Sequence, residues 1–248
     1  MKPSKDAYGQ EIFAYLRGED SFEIIERDDG YFDSSSGAKV YFSDHDDWPE
    51  HEKKAMEFVR GRVLEIGCVA GRHSLYLQKR GFEVLGIDNS PLAAKVCKLR
   101  GMRKVKVMPV AKVNFKPNSF DTIIMLGNNF GLFASPRKGR FLVRKFHKMT
   151  SNNAMIIAES NDPCKTENPA HLEYHELNRK RGRMPGQLRI RIRFGKFAGD
   201  WFDYLMVSKP EMEGILEGTG WRVREFLDSG KSSYIAIIEK ASPKTPVR

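Results

Sequence analysis

The stretch from Arg62 to Pro91, RVLEIGCVAGRHSLYLQKRGFEVLGIDNSP, constrains the fold more than any other part of the chain. An apolar run (Val63, Leu64, Ile66) ends in Gly67-Cys68-Val69-Ala70-Gly71, a helical segment follows to Arg80-Gly81, and a second apolar run, Phe82 to Ile87, ends on Asp88. Strand, glycine turn, helix, strand and acidic tip make half of a nucleotide-binding α/β unit. A turn without side-chain bulk lets a ligand approach the backbone, and a helix start offers unpaired N–H groups. A carboxylate ending the next strand can accept both hydroxyls of a ribose.

The spelling of the turn separates cofactors. A dinucleotide fold asks for G-x-G-x-x-G, and the corresponding positions here are Gly67, Val69 and Arg72, so only the first fits. Glu65 stands two before the first glycine and Gly71 four after it. That order resembles the E/D-x-G-x-G-x-G motif of class I S-adenosylmethionine (SAM) dependent methyltransferases, with Val69 in place of the middle glycine. Further on, Phe120-Asp121-Thr122-Ile123-Ile124-Met125-Leu126 resembles the same family's FDxI/VxxL strand. The resemblance implies SAM as cofactor and a doubly wound α/β fold. Its seven-stranded sheet would be mostly parallel with an antiparallel last strand, carrying an N-terminal cap and a β-hairpin insertion. It implies cofactor contacts from Glu65, Gly67, Cys68, Gly71, Asp88 and Asn89, and from Leu126 and Gly127 at the end of the fourth strand. The family often reads adenine with an acid after the third strand. Here that turn is Pro109-Val110-Ala111, leaving backbone and apolar contact from Val110 and Ala111. Asn128 and Asn129 would meet the methionine part of SAM or the methyl acceptor, or else serve as ordinary turn asparagines.

Size and charge narrow the class. At 248 residues, with 40% hydrophobic and 30% charged residues, the chain suits one α/β domain with insertions. No apolar run approaches the roughly 20 residues that span a bilayer, and the start lacks a basic-then-apolar signal, so a cytoplasmic enzyme is expected. Cys68, Cys97 and Cys164 show no C-x-x-C spacing and read as reduced thiols. The net charge is +10, and the window from Arg179 to Lys196 holds eight basic residues and no acidic one. One basic segment therefore carries most of the imbalance, which points to a local anionic partner more than to a nucleic-acid coat.

Residues 1–60 read as an extension of different texture: a helix over Asp6 to Leu16, and strands at Phe22 to Ile25 and Lys39 to Phe42. Turns lie at Asp29-Gly30 and Ser34 to Gly37, and a helix runs from Trp48-Pro49 to Val59. The resemblance makes this leader a cap over the cofactor's open side. Asp44-His45-Asp46-Asp47 reads as an acidic loop before a helix, and no metal is expected. The methyltransferase domain is expected over 61–240, with Ser90-Pro91 and Ser135-Pro136 starting helices and a fifth strand at Ala154 to Glu159. A substrate insertion is expected over 161–207, and a disordered tail over 241–248. Within the insertion, Leu188 to Phe194 alternates strictly, with Arg189, Arg191 and Arg193 on one face, and Trp201 to Val207 is its expected partner. The arginine face either holds an acidic group of the acceptor or keeps an exposed edge soluble. Ser208 to Glu211 spells a capping box, and Trp221 to Glu239 a closing hairpin.

Methyl transfer needs orientation and exclusion of water more than acid–base help, since SAM is already activated. An acceptor that must lose a proton requires a base, and His171, Tyr174 and His175 are the candidates, against an ordinary packing role for each. The expectation is a SAM-dependent methyltransferase acting on a small molecule that carries an acidic group. An RNA or protein methyltransferase using the basic segment, or a non-catalytic SAM-binding protein, are the alternatives; nucleic acid is not favoured and no membrane partner is expected.

Overall fold

A computed structural model describes residues 1–34 and 37–241. The leader comprises α1 (Ala7–Leu16), β1 (Ile24–Arg27), β2 (Phe32–Ser34), α2 (Lys39–Phe42) and α3 (Glu50–Met56). Alternation then begins with β3 (Val63–Ile66), α4 (Arg72–Lys79), β4 (Val84–Asp88), α5 (Pro91–Leu99) and β5 (Val105–Val107). It continues through β6 (Phe120–Met125), α6 (Pro136–Met149) and β7 (Thr150–Asn161). The insertion supplies α7 (Pro169–Lys180), β8 (Gln187–Phe194), β9 (Phe197–Ala198) and β10 (Phe202–Leu205), before α8 (Lys209–Leu216), β11 (Trp221–Asp228) and β12 (Ser233–Lys240) close the chain.

Seven strands form the main sheet in the order β11-β12-β7-β6-β3-β4-β5. From β5 to β7 neighbours run parallel, and β12 lies antiparallel between β7 and β11. Parallel central strands are covered on both faces, which is why all four residues of β3 are buried. Side chains alternate between the two layers: Leu64, Ile66, Ile123 and Met125 join one core cluster, Val63, Ile124 and Leu126 the other. Ser90 and Ser135 cap α5 and α6, each followed by proline at the first helical position, and Ser208 with Glu211 forms the capping box of α8. The doubly wound sheet and its antiparallel last strand are as the motif order implies.

The second sheet was not foreseen. It has five strands, in the order β10-β8-β1-β2 with β9 on β8. The leader's β1 pairs antiparallel with the insertion's β8, from Ile24 opposite Arg193 to Arg27 opposite Ile190. Leader and insertion are thus one layer, so the insertion is not a free-standing hairpin. This pairing also explains the local departures. The first strand is Ile24–Arg27, not Phe22 to Ile25, because that is the span β8 can reach, and Phe22 stays 61% exposed. Its hairpin partner is the segment just past the Asp29-Gly30 turn, so Lys39–Phe42, expected as strand, is left to coil into a short helix. Between β7 and β8 the insertion contains α7, started by Asn168 as N-cap and Pro169. After Gly195 the return is made twice, by β9 and then by β10. The fifth strand, expected at Ala154 to Glu159, starts at Thr150, directly from α6, and runs to Asn161. Ser35 and Ser36 of the expected turn and 242–248 of the expected tail lie outside the described residues.

Candidate active site

The glycine turn keeps a left-handed backbone at three alternate positions: Gly67 (φ 73°), Val69 (φ 53°) and Gly71 (φ 77°). Val69 therefore adopts the conformation that a glycine would take freely, at a steric cost for a β-branched residue. What anchors it is Asp88, whose Oδ2 accepts the Val69 N–H at 3.0 Å while Oδ1 accepts the Ser90 N–H at 2.9 Å. Gly67 has a separate reason to lack a side chain. A Cβ there would lie 2.5 Å from Asn129 Nδ2, which donates to the carbonyls of Ile66 and Gly67 at 3.0 Å each. Asn129 thus ties the tip of β6 to the tip of β3, and its amide nitrogen is committed to the protein.

The start of α4 is also committed. The Glu65 carboxylate accepts from the Ser74 N–H at 3.1 Å and the Ser74 hydroxyl, and pairs with His73 Nδ1 at 2.9 Å. In a dinucleotide fold this first turn faces a pyrophosphate; here a buried carboxylate of the chain fills that role, so Glu65 shapes the turn from beneath. His73 Nε2 lies 3.4 Å from Glu52, which also takes Arg72 at 3.0 Å, and the Arg72 guanidinium sits over Trp48. Burial pulls the His73 pKa down, but the hydrogen bonds to Glu52 and Glu65 outweigh it and hold it above the ordinary value.

At the tip of β6, Glu159 accepts the backbone N–H groups of Gly127 (2.6 Å) and Asn128 (3.3 Å) and the Ser233 hydroxyl (2.6 Å). Asn128 is left-handed (φ 61°), and its carbonyl accepts the Tyr204 hydroxyl from β10. That bond fastens the second sheet to the main sheet. The Asn128 Oδ1 is buried and has no hydrogen-bond partner among the described residues.

Between the two sheets lies a cavity of about 960 Å³, lined by both. That is at the upper end of the roughly 300–1,000 Å³ typical of small-molecule sites. Of the sequence-predicted residues, Glu65, Gly67, Cys68, Asp88, Asn89, Val110, Leu126, Gly127, Asn128 and Asn129 line it, as do His171 and His175. Asp88 is 5% exposed; burial pushes its carboxyl up to about 6, against the N–H groups of Ser90 and Val69. Each of its oxygens keeps a lone pair for a further donor. Burial lowers the pKa of both histidines, with Arg27 adding to the effect at His171 and Arg179 at His175. Both are poised as neutral imidazoles.

Other expectations fail on geometry. Gly71 and Ala111 do not line the cavity; Gly71 instead caps α4, packed toward Cys97 and Met102. Tyr174 is no base, since its hydroxyl donates to Asp28 at 2.6 Å and burial, then that bond, pushes its pKa up to about 12. The three arginines of β8 point away from the cavity. Arg191 makes a bidentate pair with Glu26 (2.6 and 2.7 Å), Arg193 joins the same carboxylate, and Arg189 pairs with Asp203 at 3.2 Å. The alternate residues, Leu188, Ile190 and Ile192, face inward. The Arg191 bond, then the Arg193 bond, holds Glu26 near 2 in spite of its burial.

Sequence reasoning missed the leader's own share of the walls, above all Tyr8, Glu23 and Tyr41. It also missed Asp6, which caps α1 and accepts from the Ser90 hydroxyl (2.9 Å) and the Leu92 N–H (3.1 Å), docking α1 beside Asp88. Gly9 permits this approach, because a Cβ there would lie 2.3 Å from Ser90 Oγ. An aspartate heading a helix signals a cap; nothing local signals its second partner.

Comparison with known proteins agrees with this geometry. Residues 63–152, from β3 into β7, match the family model of a methyltransferase domain. The fold is similar to that of a SAM-dependent methyltransferase from Bacteroides fragilis solved in complex with S-adenosyl-L-homocysteine, with TM-score 0.82 and 26% identity over 98% of each chain. It is also similar to the CcbJ methyltransferase from Streptomyces caelestis, with TM-score 0.60 and 14% identity over 83% of this chain and 96% of that one. A SAM-dependent methyltransferase from Methanosarcina mazei gives TM-score 0.58 and 16% identity over 75% and 96%. No curated protein matches the sequence. Fold and turn together define a class I, Rossmann-like methyltransferase domain. The chain is accordingly a SAM-dependent methyltransferase.

Proposed function

We propose that the chain methylates a small molecule held between its two sheets, with SAM lying across the tips of β3, β4 and β6. Support comes from the donor set: a buried carboxylate at Asp88 for the ribose hydroxyls, the side-chain-free backbone at Gly67, apolar lining from Met108 and Val110 for adenine, and the Asn128 Oδ1 awaiting a donor. When bound, SAM would supply an activated methyl group on a sulfonium for displacement by a lone pair of the acceptor. The protein's part is alignment and dryness. The lid sheet supplies the second, through Ile25, Ile190 and Ile192 on its inner face. His171 and His175 are the groups placed to take a proton from an acceptor that must lose one.

The single observation that carries this reading is Asp88, a buried acid at the mouth of the turn and on the wall of the cavity between the two sheets. An acidic acceptor is not part of it, because the arginines that suggested one are ion-paired outside the cavity. The same pairs engage the arginine strand that an RNA-modifying enzyme would use. The test is a calorimetric titration with SAM, followed by a screen of acceptors with labelled methyl. Asp88→Ala should lower SAM affinity about a hundredfold or more, the loss of two charge-assisted bonds, with circular dichroism unchanged. In the wild type, affinity should hold above about pH 6 and fall below it, because ribose donors bind the ionised form of Asp88. Unchanged affinity in Asp88→Ala would remove the ribose assignment.

A further inference from the structure

Most acceptors at the tips of β3 and β6 are already in use. The Ile66 and Gly67 carbonyls take Asn129 Nδ2 at 3.0 Å each. Glu159 takes the Gly127 and Asn128 N–H groups. The Asn128 carbonyl takes two donors, the Gly131 N–H at 2.9 Å and the Tyr204 hydroxyl, which fills both of its lone pairs. The Asn128 Oδ1 is different: it is buried, belongs to a residue on the cavity wall, and has no donor among the described residues. A buried oxygen left unpaired is costly, so this position suits a ligand that brings its own N–H or O–H.

That oxygen is aimed from the lid. Gly127 and Asn128 are consecutive left-handed residues (φ 69° and 61°), which bend the chain away from β6. Glu159 of β7 grips the bend by its N–H groups, and Tyr204 of β10 grips it by its last carbonyl. Tyr204 reaches that carbonyl by laying its ring against Gly131, where a Cβ would lie 2.2 Å from Tyr204 Cζ. Burial above all holds the phenol well above its ordinary pKa, so it stays protonated and donates. Backbone conformation limits the rotamers of the side chain it carries. The two grips together therefore set the direction in which the Asn128 amide leaves the chain.

The methionine part of SAM carries an ammonium group, and the Ile66 and Gly67 carbonyls that could have served it are engaged by Asn129. We infer that Tyr204 is a positioning residue for the cofactor: through the Asn128 carbonyl it holds the bend that aims the Asn128 amide oxygen at this ammonium group. The inference rests on the cofactor placement proposed above and adds to it a residue of the lid. The dependence runs through β10, so the ion pairs on the outer face of β8 do not enter it.

The test is calorimetry on the full chain with two ligands, S-adenosyl-L-homocysteine and its deamino analogue, in which hydrogen replaces the amino group. The wild type should prefer the amino compound by about tenfold or more. Asn128→Gly, which keeps the left-handed bend and removes the amide, should shrink that preference at least about threefold. Tyr204→Phe, which keeps the ring and removes the donor, should shrink it by a similar factor while the deamino analogue binds as before. Combining the two substitutions should cost no more than Asn128→Gly alone, because the tyrosine acts through the amide. Additive losses, an undiminished preference in either variant, or equal weakening of both ligands by Tyr204→Phe overturns the inference. Gly131→Ala is a second route, since its Cβ displaces the Tyr204 ring; it should give the same selective loss, and a wild-type preference there overturns the inference as well. Failure of the wild type to bind either ligand would instead sink the cofactor placement itself.

Discussion

The two walls of the cavity are made in opposite ways. The centre of the main-sheet wall comes from one continuous stretch, in which turn, helix and strand tip follow within thirty residues and fix one another through Glu65 and Asp88. The lid wall is assembled from segments as far apart as Glu26 and Arg191, 165 positions distant in the chain, joined by register and by one shared carboxylate. The first is fixed by local hydrogen bonds; the second is fixed by long-range strand pairing and by ion pairs across it. A common cofactor with a varied acceptor is what such a division allows, since the lid can change while the turn remains.

The largest effect expected from breaking this contrast is on the main-sheet side. Glu65→Ala leaves His73 and the Ser74 N–H buried without their partner, and should cost about 3 kcal/mol of stability, seen as a lower denaturant midpoint at unchanged slope. A midpoint close to that of the wild type would show the turn to be held by other means. Next is the lid. Arg191→Glu sets a second carboxylate beside Glu26 and should lower the thermal midpoint, while SAM affinity shifts less than about threefold. A large loss of SAM affinity would show that the two walls are not separable. The linkage has a definite sign: Glu26 is held low, so its contribution is present above the unfolded value near 4.5 and is lost as pH falls toward about 2. Smallest is Val69→Gly. Relief of a left-handed β-branched residue, about 1 kcal/mol, is offset by the added chain entropy of glycine and by lost packing. The net change in stability should be within roughly 0.5 kcal/mol, and a loss well beyond that would make the valine a packing requirement.

The same contrast explains what was legible beforehand. Gly67, Asp88 and the strand ending at Leu126 could be found because their roles depend on neighbours a few residues away. Cap signals at Ser90, Ser135 and Ser208 were readable for that reason too. The faces of β8 were correctly separated by alternation, but alternation cannot say which face looks inward. The arginine face carries two readings from sequence, an acidic group of the acceptor or a soluble edge, and the pairing of β1 with β8 supplies Glu26 as partner to Arg191 and Arg193 instead. Lys39–Phe42 carries a strand-like composition and became helix because its expected partner strand was already paired. Tyr8, Glu23 and Tyr41 left no pattern at all, since they converge only after the leader folds back over the main sheet. Tyr174 falls between His171 and His175 in the insertion, but its hydroxyl goes to Asp28.

The junction of β1 with β8 bears on how such an enzyme could be re-engineered or could diverge. Grafting a new insertion into the region after β7 would import a strand without its mate, and the graft would meet a leader whose Glu26 expects two arginines. Exchange of acceptor preference by transplanting segments should therefore succeed only when leader and insertion travel together, as a matched set from one parent.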